Sequence, residues 1–155
     1  MDVAITHSFY ILLAGFLLQS PRLDIIIPWL LSMPLFFAVF GAIILAGFPD
    51  YESDKIMGKA TLTVILGQRK ASLISFLSIS LSIISSIIII YSGVLGIASL
   101  LFLITTIHGL LLSYLLLNQL TENVIEKRVD KLLQVSMSYI LWFTIVPLLY
   151  LLKII

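Results

Sequence analysis

The run ASLISFLSISLSIISSIIIIYSGVLGIASLLFLITTIHGLLLSYLLL, residues 71–117, contains no Asp, Glu, Lys or Arg. A helix needs about 20 apolar residues to cross roughly 30 Å of hydrocarbon, so this run is long enough to cross twice. The break between the two crossings is expected at Tyr91-Ser92-Gly93, where a turn is favoured. Outside this run, uncharged stretches at 3–20, 25–49 and 132–152 have the length of further spans. With 71–91 and 94–117 they predict an all-α integral membrane protein of five transmembrane helices forming a single domain over residues 1–155.

Composition agrees with this reading. The chain is 61% hydrophobic and 11% charged, with a mean hydropathy of +1.19, against about 45–50% and 25% in soluble domains. In the second span, Pro28 suits an early helix start and Pro34 predicts a kink. The first span resembles a signal peptide only in length, because its N-terminal flank carries Asp2 and neither Lys nor Arg. A net charge of +1, with no basic cluster, argues against a nucleic-acid partner. The absence of cysteine excludes disulfides and thiolate metal sites. No P-loop, dinucleotide or serine-hydrolase signature is present.

Five crossings place two loops, 50–70 and 118–131, on one side of the membrane. These loops hold Lys55, Lys59, Arg69, Lys70, Lys127, Arg128 and Lys131, while the other side holds only Arg22 and Lys153. This positive-inside bias predicts that the N-terminus and both loops are cytoplasmic and that the C-terminus is outside. Arg128, Asp130 and Lys131 read either as cover for a site mouth or as topology and headgroup contacts.

Within the spans, Ser75, Ser78, Ser82 and Ser85 are spaced by three and four residues, a small-residue stripe that predicts close helix packing. Gly93, Gly96 and Gly109 fit the same role. His7 and His108 have no second ligand at helical spacing, so a zinc site is unsupported and interhelical hydrogen bonding is the simpler expectation.

The chemistry concentrates in Phe48-Pro49-Asp50-Tyr51-Glu52-Ser53-Asp54-Lys55-Ile56-Met57-Gly58-Lys59. On a helix, Asp50 and Asp54 at i and i+4 share a face, about 5–6 Å apart at Cβ, where two carboxylates repel until a cation joins them. They are expected to face a cavity or an open flank of the bundle instead of bulk water. Glu52 points to another face and is expected to be solvated or paired with Lys55 or Lys59. Tyr51 reads either as lining an acceptor pocket or as an interfacial tyrosine at headgroup depth. Gly58 is expected to end the short acidic helix, and Thr61 to cap the next segment.

With Gly58-Lys59-Ala60-Thr61-Leu62-Thr63-Val64-Ile65-Leu66-Gly67, the segment reads D-x-x-x-D-x-x-x-G-K-x-T-L-x-V-x-L-G. This pattern resembles the second aspartate-rich signature of the UbiA superfamily of intramembrane prenyltransferases, in a form similar to branches that act on quinone precursors. The resemblance implies that the five spans are equivalent to the C-terminal part of a nine-helix bundle. It also implies transfer of a polyprenyl group from prenyl diphosphate to an aromatic or otherwise lipophilic acceptor, with Mg2+ as cofactor. By the same resemblance, Asp50 and Asp54 carry the metal and are the catalytic pair, and Lys55, Lys59 and Tyr51 contact substrate. A magnesium ion takes a few carboxylate oxygens and completes its shell with water and phosphate, so two aspartates are half of a suitable clamp. In the family, a first aspartate motif of N-D-x-x-D type supplies the other half, and none occurs in residues 1–155. The expected partner is therefore an N-terminal half supplied from elsewhere, and the alternative is a non-catalytic remnant or assembly subunit embedded in membrane lipid.

Overall fold

The computed structural model describes residues 26–93, 96–121 and 129–151, and all regular structure among them is helical. Helix α1 spans Ile26–Ala46. A short α2, Tyr51–Ile56, and a shorter α3, Leu62–Leu66, follow it. The long α4 is Gln68–Ser92, and a 3-10 turn at Gly96–Leu101 leads into α5, Phe102–Thr121. Helix α6 is Val129–Leu151. The expected first span, 3–20, lies outside the described residues, as do His7, Arg22, Lys127, Arg128, Lys153 and the side chain of Asp130.

The four long helices form a ring in which α1 packs on α4, α4 on α5, α5 on α6 and α6 on α1. Two apolar segments, Gln68–Ser92 and Ser99–Asn118, have the length and composition to cross a membrane, and Ser32–Ala46 is a shorter apolar helix. The outward faces suit such surroundings. Leu73, Leu77, Leu81 and Ile84 line the exposed side of α4, and Ile107, Leu110 and Tyr114 that of α5. In water, contiguous apolar faces of this kind would promote association.

Without a hydrophobic driving force between helices in lipid, contact depends on small residues and hydrogen bonds. Gly41 on α1 is such a contact: a Cβ there would lie 3.1 Å from Ile79 Cδ1 and 3.3 Å from the Ser75 carbonyl oxygen. Ser75 Oγ donates to the Gly41 carbonyl at 3.0 Å. The serine stripe does pack, but its fourth member differs from the expected one. Ser75, Ser78, Ser82 and Ser86 are buried, whereas Ser85 is turned outward and bonds its own helix at the Leu81 carbonyl. Eleven residues make just over three full turns, so Ser86 returns close to the phase of Ser75 and Ser85 falls short by about one residue's rotation.

Near the centre, Ser82 Oγ donates to the Pro34 carbonyl on α1 at 2.7 Å. A hydroxyl has one proton, so the Tyr139 hydroxyl on α6, 2.8 Å away, must donate to Ser82 Oγ. Gly109 on α5 makes room for this crossing, since a Cβ there would be 3.1 Å from the Tyr139 hydroxyl and 2.7 Å from Ile83 Cγ1. One tyrosine thus joins opposite helices of the ring. Beside it, Trp142 Nε1 donates to His108 Nδ1 at 3.0 Å, which places the histidine proton on Nε2, 3.2 Å from the Val135 carbonyl. Both His108 nitrogens are consumed by α6, so His108 is an interhelical tie.

Helix α4 ends where expected. Gly93 adopts a left-handed conformation, φ +63°, and its amide reaches back to the Ile90 carbonyl.

Candidate functional site

The acidic segment is a compact helical hairpin at the C-terminal end of α1. Phe48 is buried and anchors its entry, after which Pro49 and Asp50 are exposed. Asp50 is the N-cap of α2, and the Asp54 amide donates to its carbonyl at 2.8 Å. The two aspartates are therefore one helical turn apart. Their surroundings differ. The Asp50 carboxylate is exposed and makes no capping hydrogen bond, whereas the Asp54 side chain retains only 8% of its exposure.

The end of α2 explains the burial of Asp54. Gly58 has φ +68° and donates to the Lys55 carbonyl, while Lys59 N–H donates to the Asp54 carbonyl at 2.9 Å. This is a Schellman turn, and it folds the chain back over the last turn of the helix. The reversal carries the Lys59 side chain to Asp54, where Nζ donates to Oδ1 at 2.7 Å. Lys59 itself remains 56% exposed. Its ammonium is held above the ordinary lysine range, first by the hydrogen bond to Asp54, next by that carboxylate's charge, and to a smaller extent by Asp50.

Lys55 takes another direction, with Nζ 5.7 Å from the centre of the Tyr51 ring in a cation–π arrangement. Glu52 is solvent-exposed, and Lys59 pairs with Asp54 instead of with Glu52. The sequence reading missed that pairing. The signal lay in the glycine before Lys59, because a left-handed cap turns an i, i+5 separation into a contact.

The hairpin is fixed to the bundle through α3. Thr61 caps this helix, accepting from the Val64 amide at 3.3 Å as its position predicted. The buried Thr63 hydroxyl reaches the Ile44 carbonyl at 3.3 Å, and a Cβ on Gly47 would meet that hydroxyl at 2.7 Å. Gly67, φ +78° and ψ 156°, then joins α3 to α4 in a conformation open essentially to glycine alone.

Chemically, the hairpin offers hard carboxylate oxygens next to two ammonium groups. Among the described residues, no three His, Asp or Glu side chains converge into a complete metal cage. Magnesium does not require one, because it commonly binds through one or two carboxylates and leaves its other positions to water and substrate phosphate. The pair Asp50 and Asp54 fits that partial role. Only Oδ1 of Asp54 is engaged by Lys59, and the sole buried side-chain polar atom without a partner among the described residues is Ser113 Oγ. Oδ2 of Asp54 is not part of the Lys59 bond.

Comparisons with known proteins give one positive result. Comparison with curated proteins and comparison with solved structures each returned no match. The model of the UbiA prenyltransferase family matches residues 3–137, which include the whole hairpin and all of α1, α4 and α5. With most of its length matched, this apolar helical chain belongs to the UbiA prenyltransferase family, whose members are membrane-embedded enzymes acting on prenyl diphosphates and lipophilic acceptors.

Proposed function

We propose that the chain forms the acidic, diphosphate-facing part of a prenyltransferase that moves a polyprenyl group from its diphosphate to an aromatic or similarly lipophilic acceptor, with quinone precursors the preferred class. The observation that carries this reading is the placement of Asp50 and Asp54 one helical turn apart in a hairpin anchored at the end of an apolar helix. Bound Mg2+ would supply positive charge to the departing diphosphate. The chain's own residues do the rest. Asp50 and Asp54 present oxygens to the metal, the ammonium groups of Lys55 and Lys59 lie within the same hairpin for phosphate oxygens, and Tyr51 offers a ring face to the acceptor. The allylic C–O bond breaks with its electron pair on the diphosphate, the acceptor carbon bonds to the allylic cation, and that carbon loses a proton.

In this reading the described helices, with 3–20, make five membrane crossings, and the hairpin lies on the cytoplasmic side. The first aspartate motif comes from outside residues 1–155, since the sequence contains no motif of the N-D-x-x-D type. That same observation favours the competing reading, a non-catalytic membrane subunit.

The test is prenyl transfer from a labelled diphosphate in membranes that contain this chain with an N-terminal family half bearing the first motif. Transfer should require Mg2+ and should fall by about a hundredfold or more in Asp50→Asn and Asp54→Asn, the scale of removing a group that stabilises developing charge. Undiminished transfer in either variant would remove that aspartate from the metal site. No transfer under any condition would favour the non-catalytic subunit.

A further inference from the structure

We propose that Lys59 is a resident counter-ion which occupies Asp54 until a divalent cation displaces it. The inference rests on the reading of Asp54 as a metal-facing carboxylate and adds a regulatory step to that site.

Three observations carry it. First, the Asp54 side chain is almost wholly buried while its partner is more than half exposed, at 8% and 56%. A buried carboxylate without compensation is costly, so a cation beside Asp54 stabilises its ionised form. Second, the compensation comes through a single contact, Nζ to Oδ1 at 2.7 Å. A lysine ammonium is a point charge on a flexible four-carbon stem and can swing away without moving the backbone. Third, the backbone places Lys59 independently of that contact, since its amide is held by the Asp54 carbonyl through the Gly58 turn. Release of the side chain therefore leaves the hairpin intact.

The surrounding groups favour exchange over permanent pairing. Asp50, one turn before Asp54, is exposed and uncapped, so a second carboxylate is available to a divalent ion but does not bond Lys59. Lys55 lies over the Tyr51 ring and does not compete for Asp54. A monovalent ammonium satisfies one carboxylate, whereas a divalent ion can satisfy both. Displacement frees the Lys59 ammonium within one side-chain length of the ion, where phosphate oxygens brought by the substrate would meet it.

The experiment measures Mn2+ binding to the purified full-length chain in detergent micelles, read as loss of the free Mn2+ resonance. Lys59→Met, which keeps the apolar stem and removes the charge, should bind Mn2+ roughly two- to fivefold more tightly than the unaltered chain, within the span expected for the coupling of an ion pair with one exposed partner. Lys59→Arg, which retains a cation, should bind equally or more weakly. Asp54→Asn should lose binding. Equal or weaker binding by Lys59→Met, or no binding by it at all, would overturn the exchange. If Lys59→Met and Asp54→Asn both bind as the unaltered chain does, Asp54 is not a metal ligand and the underlying site reading fails as well. If Asp54→Asn loses binding while Lys59→Met is unchanged, the site stands and only the exchange fails.

Discussion

The Tyr139–Ser82 crossing in the middle of the bundle and the Asp54–Lys59 pair at its end are both short polar contacts, 2.8 and 2.7 Å. The first is closed on every side: Tyr139 donates to Ser82, Ser82 donates to Pro34, and Gly109 leaves no space beside them. Each proton has an acceptor within the fold. The second is closed on one side only, with Oδ2 of Asp54 outside the Lys59 bond, Asp50 exposed and without a capping hydrogen bond, and Lys59 exposed. Both groups are polar in an apolar chain, yet their remaining capacity differs. Polar atoms whose capacity is used up by neighbouring helices hold the bundle together, and those with capacity to spare are where a ligand can act.

The largest effect that would break this contrast is a loss of transfer in Tyr139→Phe comparable to the hundredfold loss expected for Asp54→Asn. We expect Tyr139→Phe to retain transfer in an assay of matched protein amounts. Next in size is Gly109→Ala. Its new Cβ would press on Ile83 Cγ1 at 2.7 Å and on the Tyr139 hydroxyl, which should cost about 1–3 kcal/mol of stability as overpacking. A lowered midpoint of unfolding in mixed micelles would register it. Gly58→Ala meets no atom within 4 Å but forces an L-residue to φ +68°, so about 1–2 kcal/mol should be lost locally. Faster amide exchange at Lys59, with α4 unaffected, would localise that change. The stability loss in Tyr139→Phe should be smaller, on the order of 1 kcal/mol or less for one hydrogen bond between membrane helices.

The smallest effect concerns pH. Lys59 is raised above its ordinary value of 10.5 by its pairing with Asp54. A raised lysine contributes fully below its unfolded value and loses that contribution as pH rises through the folded one. The difference in thermal midpoint between the unaltered chain and Lys59→Met should therefore be flat near neutrality and shrink only in strongly alkaline solution.

Much of this was legible in the residues. The break at Gly93 and the Thr61 cap follow from local backbone chemistry, which short sequence contains. The interhelical role of His108 followed from the absence of a second ligand at helical spacing. The choice of Ser86 over Ser85 was harder, because three- and four-residue steps both keep a local stripe and only the cumulative phase over several turns separates them. Tyr139 as the link between opposite helices could not be read at all, since it depends on which helices are neighbours in space. Asp50 and Asp54 share a turn as expected, but their unequal surroundings follow from the Gly58 reversal, which brings Lys59 to Asp54 and not to Asp50.

The five-residue separation of Asp54 and Lys59 also has a consequence in time. Loops of about ten residues close in roughly 10–100 ns, and a contact already held near closure by the Gly58 turn should re-form at least as fast. Typical enzymes turn over at about 10 per second. In the proposed exchange the lysine would thus leave and return very many times within one catalytic cycle, and it would set how tightly the site binds its ion and not how long the protein waits for it.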